Sequence, residues 1–222
     1  MTECGTTSYF TTPCSLFFTL LYLYIMNNDP KIQLSAAEMD LVRNADWLLT
    51  KNNIINKVYL MLGDVAERVR GDWGPSPKIS RGENYQGLPW VMLDYPRLFG
   101  KEDVFAIRSF FWWGHFFSIT LHLKGTYLQQ YRQRIVENLF LLEKNNFYIC
   151  ISDDEWRHEF TVDNYAPVKE VGHTIIKEML GAAGFCKLSV KISLDEWNRV
   201  KKILSELYEV IFSITGHQLP SR

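Results

Sequence analysis

Three groups of residues in this chain have types and spacing that could do chemistry. The first lies in "KISRGENYQGLPWVMLDYPR", which carries Arg81, Glu83, Asn84, Tyr85, Asp94, Tyr95 and Arg97 around Gly87 and Pro89. Polar groups on a glycine- and proline-rich loop beside a strand are where binding functions concentrate. The same residues also suit a plainer role, in which Arg81–Glu83 and Asp94–Arg97 are local ion pairs that hold a loop and contribute little each. The second group is Ser118, Thr120 and His122, with Arg108 and His115 nearby in the chain. A serine and a histidine four apart on one strand face invite a hydrolase reading. No G-x-S-x-G elbow surrounds them, however, and serine and threonine on a solvent-facing strand row are ordinary. The third group is a pair of E-x-x-H motifs, Glu155 to His158 and Glu170 to His173. On a helix this spacing puts both side chains on one face, as in carboxylate-bridged metal bundles. Pro167 separates the two motifs and Gly172 interrupts the second, so a bundle cannot be laid over them. If 156–160 is extended, Trp156, His158 and Phe160 share a face and Glu155 points away. No phosphate-cradling glycine loop, dinucleotide fingerprint or H-E-x-x-H motif is present. No metal or other cofactor is therefore expected.

The elements that must position these groups follow from periodicity. Ser35-Ala-Ala-Glu38 is a capping box that opens a helix through Met39, Val42 and Leu49. A second helix is expected over 53–69, with Ile54, Val58, Leu62, Val65 and Val69 on one stripe. The "RGDWGPSPK" stretch breaks the pattern as a loop. Trp90 to Leu93 form a short apolar strand, with Pro89 and Pro96 at its ends, where a strand tolerates proline. The aromatic block "SFFWWGHFFSITLHL" then alternates cleanly from Phe117 onward. Phe117, Ile119, Leu121 and Leu123 point one way, and Ser118, Thr120, His122 and Lys124 the other. Gly114 marks a bulge or the first position of a Gly-His two-residue hairpin. Such a hairpin would pair Trp113 with Phe116 and stack positions 110, 112, 117 and 119 on one face. Thr126 caps a helix to about Lys144 with Leu128, Tyr131, Ile135, Leu139 and Leu142 facing inward, a strand covers 147–151, a weak helix 168–180 and a strand 188–192. Ser193 to Glu196 forms another capping box, leading into a last helix that carries Trp197, Val200, Ile203, Leu204, Leu207 and Ile211. The expected fold is α+β: a small, mainly antiparallel sheet covered by helices, with two N-terminal helices and a long C-terminal one.

Composition narrows the partners. The chain has 222 residues, 47% hydrophobic and 22% charged, with a net charge of −1. This is the ordinary globular balance, and one domain over 26–222 is expected. Lys and Arg are scattered without a basic block, so nucleic acid is not an expected partner. The cysteines, Cys4, Cys14, Cys150 and Cys186, form no CxxC, which suits buried free thiols in a reducing, cytoplasmic compartment. The apolar run from Leu16 to Met26 is shorter than the ~20 residues that span a bilayer. It also lacks the basic flank of an export signal. Residues 1–25 are thus expected to precede the true start at Met26; the alternative is a membrane anchor at 16–26.

"KISRGENYQGLPWVMLDYPRLF", followed by "FAIRSFFWWGHFFSITLHLKG" and later "EWRHEF" and "NY", resembles a family of bacterial proteins over Leu34 to Tyr165. The resemblance implies a start near Met26. It implies no activity, fold or site residue.

Three functions remain open on the residues alone. One is a soluble binding or interaction protein without catalysis. Its aromatic-lined pocket would hold a small molecule or protein partner between Trp90, Tyr95, Trp112 and Trp113, with Arg81, Glu83, Tyr85, Asp94, Arg97 and His115 beside them. Another is an enzyme whose His115, His122 or His158 pairs with Glu83 or Asp94. The third is a protein that docks a partner through its acidic "DDEW" face.

Overall fold

Strand alternation gives this chain a sheet with two different faces, and the rest of the architecture follows from how each is covered. The computed structural model describes residues 31–217. The expectations for residues 1–25, the anchor at 16–26, Cys4 and Cys14 fall outside the described residues. The chain divides into two units, residues 1–52 and 53–222. In the first, the Ser35–Glu38 capping box forms as expected: Glu38 N donates to Ser35 Oγ and Ser35 N to Glu38 Oε2. It opens helix α1 (Ala36–Arg43), and α2 (Ala45–Val69) follows after Asn44. The expected break near Asn53 is absent, and α2 runs through it.

The second unit contains seven strands: β1 (Lys78–Tyr85), β2 (Leu88–Phe99), β3 (Val104–Trp112), β4 (Phe116–Lys124), β5 (Tyr148–Cys150), β6 (Tyr165–Pro167) and β7 (Phe185–Ser193). They form one sheet in the order β1-β2-β3-β4-β7-β5-β6, with every neighbouring pair antiparallel. Helices α3 (Thr126–Glu137), α4 (Leu139–Lys144), α5 (Val168–Val171), α6 (His173–Ala182) and α7 (Val200–Thr215) complete an α+β fold. The inner face of the sheet carries Phe111, Phe117, Ile119, Leu121, Leu188 and Val190 against Val58, Leu62, Ile135, Leu204 and Ile211 of the helices. These side chains are removed from water almost completely, and that burial is the main force holding the unit together.

Two local corrections matter for what lies on the outer face. The segment expected as a loop at 78–85 is an edge strand, and β2 extends to Phe99 instead of stopping at Leu93. Pro96, preceded by a cis bond, falls where the β2–β3 register shifts between Asp94 and Arg97. At that irregularity the missing N–H costs no ladder bond. The β3–β4 turn has three residues, Trp113–His115, not two, and Trp112 pairs with Phe116. His115 N bonds Trp112 O at 3.1 Å, and Gly114 takes the left-handed conformation the turn needs (φ 74°). One residue of slip flips a side chain to the opposite face. Phe110, Trp112 and Phe116 therefore cluster with Met92 on the outer face, while Phe117 and Ile119 belong to the inner core.

The entry into α3 is capped from elsewhere in the chain. Thr126 is the first helical residue and not the cap; its N–H and hydroxyl both donate to Asp103 Oδ1, at 2.6 and 2.8 Å. Gly125 before it has φ 60°, and a Cβ there would sit 2.4 Å from Glu102 O. Gly125→Ala therefore combines a positive-φ penalty with a clash against backbone, and should lower stability by ~1–3 kcal/mol. Gly181→Ala in α6 meets nothing within 4 Å and should be neutral or stabilising by up to ~1 kcal/mol. Urea midpoints of the two variants give the comparison, and equal destabilisation would refute the account of Gly125.

Candidate functional site

The outer face of the sheet divides into an apolar end and a polar end, and register fixes both. Across the apolar end run Trp90, Trp112 and Phe116; across the polar end run Asp94, Arg108, Thr120 and Ser189, and beside them Ala106, His122 and Lys187. Directly opposed side chains on one face of an antiparallel pair lie close enough to interact. The row expected to face solvent is buried: Ser118, Thr120, His122, Lys187 and Ser189 are all under 4% exposed.

Among the described residues no helix covers this face. Its cover is the irregular segment 151–164 between β5 and β6, which folds back over the polar rows. A connection of that length without helix or strand is uncommon in a compact fold, and where it occurs it is most often a binding loop or lid. It is organised from within. Arg157 bonds Glu159 Oε1 at 2.6 Å and Asp163 Oδ2 at 2.9 Å, and the buried Asn164 donates to Glu159 O at 2.6 Å. It is fastened to the sheet at three places. Glu155 accepts from His122 Nε2 at 2.9 Å and Lys124 Nζ at 2.7 Å. Tyr85 OH donates to Glu159 Oε2 at 2.5 Å and accepts from His158 N at 2.9 Å. Lys187 Nζ donates to the carbonyl of Arg157. Trp156 lies over Arg108, whose guanidinium carbon is 5.1 Å from the indole centroid and 4.9 Å from the Phe99 ring on its other side.

The electrostatics of this covered layer are uneven. Asp94 and Arg108 pair at 2.8 Å, yet burial still raises the Asp94 carboxyl above its usual range. Glu155 and Glu159 are penalised by burial, but Lys124 and His122 for the first, Tyr85 and Arg157 for the second, more than offset it and hold both carboxylates low. His122 is held well below the usual imidazole range by desolvation and by the Arg108 charge. His158, packed on Phe110 and Tyr85, is brought down to about 3 by desolvation and by Lys187 and Arg108. In the neutral His122 ring, Nε2–H donates to Glu155, so Nδ1 carries a lone pair; that atom is buried with no partner.

Lys187 stands apart from these. It is 1% exposed and makes no ion pair with a carboxylate among the described residues. Its ammonium lies 5.2 Å from the centroid of the Tyr165 ring. Desolvation, with Arg108 adding to it, lowers its pKa to about 8. The Tyr165 hydroxyl is buried beside Thr120 and Ser189 without a bond of acceptable geometry to either, while those two bond each other at 2.7 Å. Lys187, Tyr165, Thr120, Ser189 and His122 thus form a buried polar cluster under the segment 151–164.

The residues singled out from the sequence are divided by strand geometry. Tyr85, Trp90, Asp94 and Trp112 lie on the outer face, with Trp112 Nε1 donating to Tyr85 O at 3.2 Å. Tyr95 and Trp113 face the other way and belong to or pack on the inner core, so the four aromatics do not line one pocket. Tyr95 is instead a bracket for the preceding loop: its hydroxyl donates to Gly71 O and accepts from Gly71 N. Arg97 Nε bonds Ser76 O at 2.7 Å and borders a shallow pocket of about 420 Å³. Arg81 and Glu83 are exposed on the edge strand, and the exposed His115 stacks on Trp112 at 3.7 Å. The His–carboxylate pairs that exist are His122–Glu155 and His173–Glu143, not pairs with Glu83 or Asp94. No cluster of three or more metal-ligating side chains occurs among the described residues. Cys150 and Cys186 are free and buried, and burial raises both thiols. Among the described residues no helix is long and apolar enough to cross a membrane.

The depressed imidazoles make the covered layer acid-sensitive. Unfolded histidine takes up a proton near pH ~6.5, whereas native His158 resists until about 3 and native His122 is likewise lowered. Below the ordinary value the unfolded state therefore binds more protons, and stability present at neutral pH is lost as pH falls. Between pH 6 and 4 the slope should approach ~1.4 kcal/mol per pH unit for each of the two histidines. His158→Leu should remove one of these contributions, which denaturant titrations at several pH values would reveal; an unchanged slope would contradict the assignment.

No family model matches this chain, and no curated protein or solved structure matches it.

Proposed function

We propose that the chain is a binding protein for a small organic anion. Its site is the buried polar cluster beneath 151–164, with Lys187 as the central cation and the 151–164 segment as the cover that opens to admit the ligand. The observation that carries this reading is the charge accounting under the cover. Arg108 has Asp94, Lys124 has Glu155, and Arg157 has Glu159 and Asp163, while Lys187 has only a carbonyl. These four cations and four carboxylates balance in number, and Asp154 and Glu159 act on Lys187 from a distance, but no carboxylate among the described residues lies within ion-pair reach of it. A buried cation without a close partner is costly, and such groups are concentrated at functional sites. The place beside the ammonium that a carboxylate would normally take therefore suits the negative group of a ligand. Thr120, Ser189 and Tyr165 supply hydroxyls that can turn toward an anion's oxygens, and the His122 lone pair can accept from a ligand hydroxyl.

The sign of the lysine's contribution is testable. Unfolded lysine holds its proton to pH ~10.4, and native Lys187 releases it near about 8. Between those values the unfolded state binds more protons, so stability rises with pH, and below about 8 the full cost is present. Lys187→Met should accordingly stabilise the ligand-free protein by ~1–3 kcal/mol at pH 7. Thermal melts with acetate, pyruvate and inorganic phosphate test the site itself. At about a hundred-fold excess over Kd a ligand should raise Tm by ~5–10 °C, and the shift should vanish in Lys187→Met. No shift with any of the three, or the same shift in the variant, would overturn the reading.

A further inference from the structure

The cation that would hold an anion is also an amine, and its surroundings suit covalent capture of a carbonyl better than a permanent ion pair. A lysine built only for charge is normally matched by a carboxylate in the empty site, and Lys187 is not. Its one bond is to a main-chain carbonyl on the movable cover. Directly opposite it across the β4–β7 pair stands His122. That imidazole is fixed as one tautomer by Glu155, with its free lone pair on Nδ1 buried in the layer. An amine facing a tautomer-locked neutral imidazole is the combination that proton transfer to and from a carbinolamine requires. The lowered pKa of Lys187 keeps a share of it as free amine near neutral pH.

We infer that Lys187 captures the carbonyl carbon of a small 2-oxo acid as an imine, a reading that rests on the anion site proposed above. The Lys187 ammonium first gives up one proton, and the freed Nζ lone pair forms a bond to the carbonyl carbon while the C=O π pair moves onto oxygen, which takes up that proton. The nitrogen then gives up a second proton to His122 Nδ1. His122 returns it to the carbinolamine hydroxyl, which leaves as water as the nitrogen pair forms C=N. Lysine ammonium and carbonyl give protonated imine and water, and nothing is oxidised or reduced. The protonated imine keeps the positive charge of the lysine, and the ligand's own carboxylate supplies the close partner that Lys187 lacks. A 2-oxo acid thus meets both features with one molecule: a carbonyl for the amine and a carboxylate for the unpaired cation.

The test uses the full chain, with glyoxylate and pyruvate as probes, glycolate and lactate as their hydroxy counterparts, and cyanoborohydride as the trap. Intact mass should show one adduct, heavier by the mass of the oxo acid less one oxygen atom, and peptide mapping should place it at Lys187. The Lys187→Arg variant keeps the charge, and a cooperative melt would establish its fold; it should give no such adduct. His122→Gln should slow trapping at Lys187, read as the rate of adduct formation at saturating oxo acid. If the oxo acids and their hydroxy counterparts raise Tm alike and no label reaches Lys187, covalent capture is wrong and the anion site stands. Label spread over surface lysines equally in wild type and Lys187→Arg overturns it as well. If none of the four raises Tm and none is trapped, both readings fall.

Discussion

Among the described residues the helices of the second unit pack on one side of its sheet, so the other side must be covered by something else or left to water, and this constraint governs the unit. The central strands β3, β4 and β7 present polar or charged groups on that second face: Arg108, Thr120, His122, Lys187 and Ser189. Facing water, these residues would be unremarkable on an antiparallel sheet. Covered, each needs a partner. The segment 151–164 covers them and also supplies partners: the Glu155 carboxylate, the Arg157 carbonyl and the Glu159 carboxylate that ties Tyr85. The cover is therefore fastened by the same polar groups it buries. Removing Glu155 would undo one of the three fastenings and, in the same act, leave His122 and Lys124 without their acceptor.

Such a layer behaves differently from the inner core. Val58, Leu62, Leu121 and Ile211 are held by loss of apolar surface, which does not depend on direction or pH. The outer layer is held by directional bonds of which several involve titratable groups, and it leaves Nδ1 of His122 and the Tyr165 hydroxyl unsatisfied. Opening the outer layer exposes comparatively little apolar surface, mainly the Phe160 contacts with Phe116 and Tyr165 and the His158 contact with Phe110. This is the profile of a low-stability region on a stable base, from which binding loops are drawn.

Much of the scaffold was legible in the sequence because period and caps are local. The α+β class, the inward row Phe117 to Leu123, the stripe Leu128, Tyr131, Ile135, Leu139 and Leu142, and the Ser35 box all follow from neighbours a few positions apart. The β1 strand was not legible because Gly82, Glu83 and Asn84 oppose strand propensity. It forms because β2 offers an edge, and Gly82 is required where the Trp90 indole lies over it: a Cβ there would meet Nε1 at 2.6 Å. The turn length at Gly114 was ambiguous because Gly-His suits either a two-residue or a three-residue loop, and the one-residue difference reassigns Trp113 and Phe116 to opposite faces.

The buried polar cluster was hidden for a different reason. Lys187 sits in "CKLSVKIS", where it alternates with Cys186, Leu188 and Val190 exactly as a solvent-facing lysine would, and Lys191 two pairs along is indeed exposed. Alternation tells which face a residue occupies; it says nothing of what lies above that face. The cover comes from a segment with no period of its own, and its key residue, Glu155, reads as part of an E-x-x-H motif instead of as the partner of a histidine in β4. A signal did exist in the pairing arithmetic. Once β4 and β7 are set antiparallel, Thr120 meets Ser189 and His122 meets Lys187, and two cations opposed on neighbouring strands are unfavourable unless one is neutral. Desolvation keeps His122 neutral and lowers Lys187, so the opposition is tolerated by shifting protons and not by separating the side chains. A pair held in that state sets a base and an amine at directly opposed positions beneath the segment 151–164, and it is this juxtaposition, more than any single residue, that sets the outer face apart from the inner core.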